Sequence, residues 1–422
     1  MIYLDNNATT PVDPAVLDAM LPFLRGRHEN PSSAYRGARA VRAALDEARA
    51  CVARLLSATP EEIVFTSGGT EADNAVIESA RALSWPSRRR LVIGATEHPA
   101  VMEPALRWEQ EGGSVTRVPV GRDGVIDLAA FEQAVAQPDV ALASIMWANN
   151  ETGALAPMHD VVRIAHAAGV LIHTDAVQAV GKVGIDLASV PVDYVSLSGH
   201  KIHAPKGVGA LFVSRRVRFR PWMLGGGQEH GRRSGTENVP GIIGLGVAAE
   251  LMQRQLADGT TARVAALRDA FEKQVLAALP GAFCTTNTAD TRVRGSGQGG
   301  PGVVDGGSTR ALNAAGARRS GATSSFCLPG VDAAGMLILL DAEGVCCSAG
   351  SACHAGAVHP SPVLEAMGLD AAHAASTLRF SFSRFNTEAE AHAAAASVIA
   401  AAGKLRALKD GDEGPVVVSA PD

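Results

Sequence analysis

The sequence is poor in cysteine, has no excess of positive charge and contains no long hydrophobic run. Only six of its 422 residues are cysteine, and no two of them form a Cys-X-X-Cys pair. This excludes a disulfide-rich secreted scaffold and the usual zinc motifs, and a reducing cytoplasm fits best. The formal net charge of -5 and the sequence pI of about 6.2 argue against the broad basic surface that nucleic-acid binding requires.

The first residues and the apolar segments exclude two further classes. Residues 1–7 lack the basic region and the apolar run of a signal peptide. No apolar stretch is long enough to cross a bilayer. We therefore expect a soluble, cytoplasmic protein whose partners include neither nucleic acid nor a membrane.

Short runs rich in β-branched residues alternate with helix-like segments through the first half of the chain. The strand-like runs are 63–66, 91–95, 115–120, 140–147, 170–174, 194–197 and 209–213, and the clearest helical segments are 41–56, 71–83 and 157–168. This order predicts an α/β fold with a large, mostly parallel sheet covered by helices on both faces. Ligands on such sheets bind beyond the carboxyl ends of the strands.

The pattern changes after residue 258 and predicts a second, smaller domain. The large domain is predicted over residues 12–258, and residues 1–11 and 259–408 are predicted to form a smaller α+β domain. Residues 287–321, rich in Gly, Ser, Thr and Arg, are interpreted as a long exposed or partly disordered insertion. Residues 409–422 are expected to be a tail.

A Gly-Gly-Thr turn follows the first of these strand-like runs and opens a helical segment. The N–H groups around Gly69 and the hydroxyl of Thr70 could hold a phosphate at the positive end of the helix dipole. A Gly-Gly turn before a helix is also simply a turn. The motif therefore gains weight only from other polar residues at the same edge of the sheet.

Several such residues follow other predicted strands. Asp175 could keep a pyridine nitrogen protonated, or it could cap the next helix. His98 could lie on an aromatic ring and pass protons, or it could be structural. Asn150 and Gln178 could steer a phenolic oxygen, or they could shape loops.

Lys201 ends the sequence Ser-Gly-His-Lys at 198–201, just past a predicted strand. Ser198 and His200 can both donate to a phosphate oxygen, and the glycine between them permits close backbone approach. A lysine at this place is otherwise a solvated charge. Because each candidate follows a different strand of one sheet, we interpret the set as a site for pyridoxal 5'-phosphate, with Lys201 forming the Schiff base.

Cys353, within Ser-Ala-Cys-His at 351–354, adds a possible nucleophile. Gly350 and Gly356 flank it and suggest a mobile loop. Three other cysteines are interpreted as small buried residues, and two as strand residues: Cys51, Cys284 and Cys327, and Cys346 and Cys347.

The whole set resembles the cysteine desulfurases, pyridoxal-phosphate enzymes of the class V aminotransferase fold. The sequence at 146–153 and 201–207 is most similar to the nitrogen-fixation type, with the housekeeping type as the alternative. The matching stretches are 3–10, 30–33, 65–71, 97–99, 149–153, 173–175, 198–201, 233–238, 351–353 and 378–381.

The resemblance implies a role for each candidate. Lys201 would bind the cofactor covalently, Asp175 would pair with its ring nitrogen, and His98 would stack on the ring. Gln178 and Asn150 would contact its phenolic oxygen. Its phosphate would be held by Gly69, Thr70, Ser198 and His200.

It also implies a homodimer with shared active sites, because Thr236 would reach the phosphate of the neighbouring subunit. Arg379 would clamp the substrate carboxylate, a task suited to a bidentate guanidinium, and Asn30 would assist. Without the motif, Arg379 would be taken for a surface ion pair.

The implied reaction takes sulfur from L-cysteine, gives L-alanine and leaves a persulfide on Cys353. The sulfur would pass to an iron-sulfur scaffold or another acceptor protein. An enzyme acting on another amino acid, such as a selenocysteine lyase, would share the cofactor residues without needing Cys353. A non-enzymatic assembly scaffold would show damage among these residues, and none is found.

The sequence departs from the family pattern in two places. Ala349 stands where the family usually has a serine before the cysteine loop, and we expect this to be tolerated. Residues 287–321 replace a much shorter connection, which bears on local strand pairing and on how this face meets a partner.

Overall fold

A computed structural model describes residues 1–286, 319–349 and 361–410. In chain order the strands are β1 Ile2–Tyr3, β2 Ile63–Thr66, β3 Arg90–Gly94, β4 Ser114–Val118, β5 Val140–Ser144, β6 Ile172–Asp175, β7 Tyr194–Ser198, β8 Gly209–Val213, β9 Phe283–Cys284, β10 Thr323–Cys327, β11 Val345–Cys346, β12 Ser348–Ala349 and β13 Thr377–Ser381. The α-helices are α1 Pro14–Arg25, α2 Arg36–Leu55, α3 Gly69–Ser84, α4 Pro99–Gln110, α5 Leu128–Val135, α6 Met158–Ala167, α7 Val239–Ala257, α8 Thr260–Ala278, α9 Ala333–Ala342, α10 Pro362–Ala366, α11 Ala371–Ala375 and α12 Glu388–Asp410.

The larger sheet has seven strands in the order β2-β8-β7-β6-β5-β3-β4. Only β8 runs antiparallel to its neighbours. Side chains alternate between its faces: on β8, Ala210 and Phe212 pack with α2 and α7, whereas Leu211 and Val213 pack with α3 and α4. The prediction of a mostly parallel sheet with helices on both faces is confirmed.

A second, smaller layer holds the C-terminal elements. Its four strands form an antiparallel sheet in the order β12-β13-β10-β9, covered by α8 and α12. Its core centres on Phe271, which packs against Phe326, Phe380 and Phe382. The chain's first strand, β1, pairs with β11 of this layer. The α+β character of the smaller part is therefore confirmed, whereas the boundary at residue 258 stays a prediction.

Two local predictions need correction. The strand expected over 140–147 ends at Ser144, because the Met146 amide donates to the Glu97 carboxylate instead of a neighbouring strand. The last residues of the expected insertion are packed rather than exposed, since Arg319 forms two hydrogen bonds with Glu272 and Ser320 is buried. Residues 287–318 lie outside the described residues.

The described ranges lack both a membrane-spanning helix and a metal-binding cluster. None of their helices is long and apolar enough to cross a membrane. No group of three or more His, Cys, Asp or Glu side chains there is arranged to hold a metal ion.

Candidate functional site

Polar residues follow the carboxyl ends of five parallel strands, β2, β3, β5, β6 and β7. Parallel strands end at the same edge of a sheet, so the loops after them meet there. The charges of Lys201 and Asp175 both act on His98. Residues at the ends of two other strands therefore lie within electrostatic range of His98.

The turn between β2 and α3 faces the end of β7. A Cβ on Gly68 would lie 3.8 Å from the Ser198 hydroxyl, and one on Gly69 would lie 3.7 Å from the Ser198 Cβ. The first intrahelical bond of α3 comes from the Ala72 amide, so the amides of Gly69 and Thr70 precede it and can bind an anion. The predicted phosphate turn and Ser198 are thus together.

Asp175 is buried at the end of β6. One of its carboxylate oxygens, Oδ1, accepts a hydrogen bond from the Val177 amide at 2.9 Å. A turn follows instead of an α-helix, so the helix-cap alternative is wrong. Burial, followed by the charge of Asp73, raises the pKa of Asp175 to about 7. Among the described residues, the ionised carboxylate therefore lacks a sufficient positive partner.

His98 caps the N-terminus of α4 with its ring. Its Nδ1 accepts from the Ala100 amide at 3.1 Å, which leaves the proton of the neutral ring on Nε2. Burial lowers the pKa of His98; the charge of Asp175 opposes this change and that of Lys201 adds to it. A neutral His98 can thus donate through Nε2, but it accepts a proton only by giving up the cap bond.

Lys201 lies in a short 3-10 turn after β7 and is half-buried. Its Nζ donates to the main-chain carbonyls of Asn7 and Ala8 at 2.6 and 2.7 Å. The amine is therefore held inside the molecule rather than solvated as a surface charge would be.

His200, one residue earlier, contacts the N-terminal segment. Its Nδ1 lies 3.1 Å from the Thr9 hydroxyl. Burial, with the charges of Lys201, Lys206 and Lys182, lowers the pKa of His200 to about 4. The ring is therefore neutral at physiological pH, and it would meet a phosphate as a hydrogen-bond donor rather than as a cation.

The two predicted amide residues have other partners in this structure. Gln178 Nε2 donates to the Asn7 carbonyl at 2.8 Å, and its Oε1 accepts from Lys182. The main-chain oxygen of Asn150 accepts from the side chains of Asn7 and Arg379, each at 3.0 Å. Their contact with a phenolic oxygen stays a prediction.

Arg379 projects from β13 and is 3% exposed. Its terminal nitrogens donate to the Asn150 carbonyl and, at 2.9 Å, to Asp5 Oδ1, while its buried Nε lacks a partner among the described residues. The ion pair is therefore buried rather than at the surface. A guanidinium has five N–H donors, so this one keeps donors for a carboxylate ligand.

Three predicted residues are not brought into this group. Asn30 is exposed between α1 and α2, and its Oδ1 accepts from the Ser32 amide. Thr236 is exposed on the loop before α7. Cys353 lies outside the described residues. Described residues that flank this stretch of chain, Ser348 and Ser361, contact other residues of the site. Ser348 donates to Asp5 at 2.8 Å, and Ser361 donates to Glu151 at 2.5 Å.

The remaining cysteines largely follow expectation. Cys51, Cys284 and Cys327 are buried, and Cys346 lies in β11. Cys347 falls between two strands instead of in one.

Sequence reasoning missed a buried polar layer beneath the site. Asp73 on α3 has its Oδ1 3.4 Å from His173 Nε2, and neither of its oxygens has a hydrogen-bond partner among the described residues. Burial raises the pKa of Asp73 to about 7 and lowers that of His173 to about 4. Glu97 is also buried, and burial raises its pKa well above the ordinary range. The Thr-Glu-Ala-Asp run of an amphipathic helix contains no signal for this burial.

Asp73→Asn is expected to flatten the pH dependence of stability between about pH 4 and 7. In this window the folded protein keeps a proton on Asp73 that the unfolded chain releases, so the free energy of unfolding falls as pH rises. One such proton is worth about 1.4 kcal/mol per pH unit. Urea unfolding of the apo-protein at several pH values would measure the slope. Asp18→Asn, at an exposed position of α1, is the control, and equal slopes in both variants would contradict the prediction.

Comparison with known proteins agrees with this architecture. The model of the family described as "Aminotransferase class-V" matches residues 2–294 and 306–393. The chain is 44% identical over 391 residues to a cysteine desulfurase of Gluconacetobacter diazotrophicus, covering 92% of this chain and 90% of that protein. It is 43% identical over 390 residues to the cysteine desulfurase NifS of Azotobacter vinelandii, covering 92% and 89%. A solved NifS-like protein superposes with a TM-score of 0.82 at 33% identity, covering 94% and 98%.

The fold and the residues at its strand ends define a class-V aminotransferase. Within that class, the chain belongs to the cysteine desulfurase family, to whose members it is similar over nearly its whole length.

Proposed function

We propose that this protein is a pyridoxal-phosphate-dependent cysteine desulfurase that converts L-cysteine to L-alanine and receives the sulfur as a persulfide on Cys353. The observation that carries the proposal is the meeting of an amine, a carboxylate and an imidazole at one sheet edge. Lys201, Asp175 and His98 lie at or just beyond the ends of three different strands, and the charges of Lys201 and Asp175 both act on His98.

The residues present fit pyridoxal phosphate. Gly68 and Gly69 face Ser198, and because neither glycine has a Cβ, the space beside the turn stays open. Such a space suits a phosphate. Asp175 has a raised pKa because its charge is poorly compensated, and a protonated ring nitrogen would supply the missing positive partner. When bound, the cofactor supplies an electron-withdrawing ring that takes up the electrons left on Cα when its proton is removed.

Three side chains of the protein have separate roles in the proposed reaction. Lys201 is the base that removes the Cα proton, and its position against two carbonyl oxygens suits the ammonium that results. His98 would lie against the cofactor ring, and its Nε2 is the ring nitrogen free to donate. Asp175 keeps the ring nitrogen protonated.

Arg379 is the residue for the substrate carboxylate. Its charge is buried, and its contact with Asp5 holds the guanidinium in place before substrate arrives. The substrate carboxylate would accept hydrogen bonds from the Arg379 N–H groups that do not donate to Asp5 or Asn150. Asn30 would assist. A planar fork of donors recognises a carboxylate bidentately.

Cys353 is the sulfur acceptor. As a thiolate it attacks the substrate sulfur, a sulfur–sulfur bond forms and the carbon–sulfur bond breaks. Ala349 and Ser361, the described residues on either side of its segment, support this role because both belong to elements tied to the site.

The partners follow from the same family assignment. We propose a homodimer in which Thr236 reaches the phosphate of the neighbouring subunit. The exposed apolar residues 222–224 support it, because the Ser234 hydroxyl and amide tie their segment to the Thr236 loop. We propose an iron-sulfur scaffold or another acceptor protein as the destination of the sulfur, nitrogenase cluster assembly as the role, and the cytoplasm as the location. A housekeeping role and selenocysteine as substrate are the alternatives.

Purified protein loaded with pyridoxal phosphate is expected to release alanine and sulfide in equal amounts from L-cysteine under reducing conditions. Alanine is measured by amino-acid analysis and sulfide by methylene blue. Selenocysteine is tested in parallel. Alanine formation without sulfide, or turnover of selenocysteine alone, would contradict the proposal.

Arg379→Lys is expected to raise the KM for L-cysteine by about tenfold or more while changing kcat less, because a point charge replaces the bidentate fork. Arg406→Lys, far from the site on α12, is the control. A KM unchanged in Arg379→Lys would remove this residue from the substrate site.

A further inference from the structure

Asn7 joins the two layers of the molecule. Its main-chain amide donates to the Ser381 hydroxyl at 2.8 Å, and its side-chain Nδ2 donates to Thr323 Oγ1 at 3.0 Å. Both partners belong to the smaller sheet. The same Nδ2 donates to the Asn150 carbonyl at 3.0 Å, on the larger side. Because a main-chain carbonyl can only accept, the bond to Asn150 identifies this atom as the nitrogen of the Asn7 side-chain amide.

The carbonyl of Asn7 is the common acceptor for two residues of the proposed cofactor site. Gln178 Nε2 donates to it at 2.8 Å and Lys201 Nζ at 2.6 Å. The next carbonyl, that of Ala8, accepts from Lys201 Nζ at 2.7 Å. Two adjacent peptide oxygens therefore define where the Lys201 amine rests.

Lys182 contacts the side chains of both Asn7 and Gln178. Its Nζ donates to Asn7 Oδ1 at 2.8 Å and also to Gln178 Oε1. Lys182 and Lys201 line the same cleft. Burial, followed by the charges of Lys201 and Arg379, lowers the pKa of Lys182 well below its ordinary value. The half-buried Lys182 amine is thus held by two side-chain oxygens instead of by solvent alone.

We propose that Asn7 and Lys182 are positioning residues for the Lys201 amine: they hold the carbonyls of Asn7 and Ala8 as the docking point that receives this amine whenever it is not bonded to the cofactor. The inference rests on the proposed function and goes beyond it, since neither the Asn7 nor the Lys182 side chain touches the reacting atoms. When Lys201 takes the Cα proton, its lone pair forms the new N–H bond and the C–H electron pair stays with the substrate. The ammonium so formed donates to these oxygens.

The test compares Lys182→Met and Asn7→Ala with Lys206→Met, which alters an exposed lysine of the same region. Two rates are measured. One is the capture of added pyridoxal phosphate by the apo-protein, followed by absorbance. The other is the exchange of the Cα hydrogen of L-alanine in D2O by the loaded enzyme, followed by NMR, which involves no sulfur chemistry.

Both altered proteins are expected to capture the cofactor about tenfold more slowly and to lose about tenfold in kcat for exchange, with KM within about twofold. Lys206→Met should match the unaltered protein. Thermal unfolding identifies which variants fold, and unaltered rates in either folded variant would overturn the inference. If the unaltered protein captures no cofactor, the proposed function itself fails and the inference falls with it.

Discussion

Lys201→Ala is expected to lose cysteine desulfurase turnover by about 10³-fold or more, because both the covalent attachment of the cofactor and the base for the Cα proton are removed. The structure gives a physical reason to expect no substitute. Lys182, the other lysine that lines the same cleft, donates to the side-chain oxygens of Asn7 and Gln178 rather than to the main-chain carbonyls that hold Lys201. Turnover is measured as alanine released from L-cysteine.

Lys206→Ala is the matched control for this change, since Lys206 is exposed five residues further along. The absorbance band of the bound cofactor should shift in Lys201→Ala and not in the control. Turnover within tenfold of the unaltered protein, with an unshifted band, would rule out Lys201 as the attachment site.

Cys353→Ser is expected to abolish sulfide and persulfide formation, also by about 10³-fold or more, while Cα hydrogen exchange on L-alanine continues. The two steps use different groups, so removing the thiol should stop only the second. Sulfide release and exchange are measured on the same preparation. Cys51→Ala, at a buried position of α2, is the control for the loss of a cysteine as such.

A Cys353→Ser protein that still released sulfide at the normal rate would exclude the persulfide route. It would favour an enzyme that eliminates sulfur or selenium without a nucleophilic cysteine. If Cys353→Ser lost Cα hydrogen exchange as well as sulfide release, Cys353 would be assigned to the proton transfer instead.

The sheet and the positions after its strands could be predicted because both depend on local patterns. Runs of β-branched and other apolar residues mark buried strands, and the expected spans 63–66 and 209–213 match β2 and β8. Parallel strands bring their carboxyl ends to one edge, so Asp175, His98 and Lys201 could be assigned to a common site from their places in the chain.

Pairing between distant segments could not be predicted in the same way. Arg379 bonds with Asp5, and Asn7 contacts Gln178, Lys182 and Lys201, across more than 170 residues in every case. An asparagine near the N-terminus and a lysine in a turn have no local pattern that distinguishes a buried partner from a solvated group. The same holds for Asp73, whose burial depends on how α3 packs against β6.

The residue order alone was enough for the fold class, the family and the chemical types at the strand ends, because hydrophobic periodicity and motif spacing act over short distances. Folding into three dimensions decided which groups share protons and charge. The pKa of Asp175, the tautomer of His98 and the resting place of the Lys201 amine all depend on neighbours far away in the chain. Burial and hydrogen bonding act through space, so these properties exist only once the two layers have packed together.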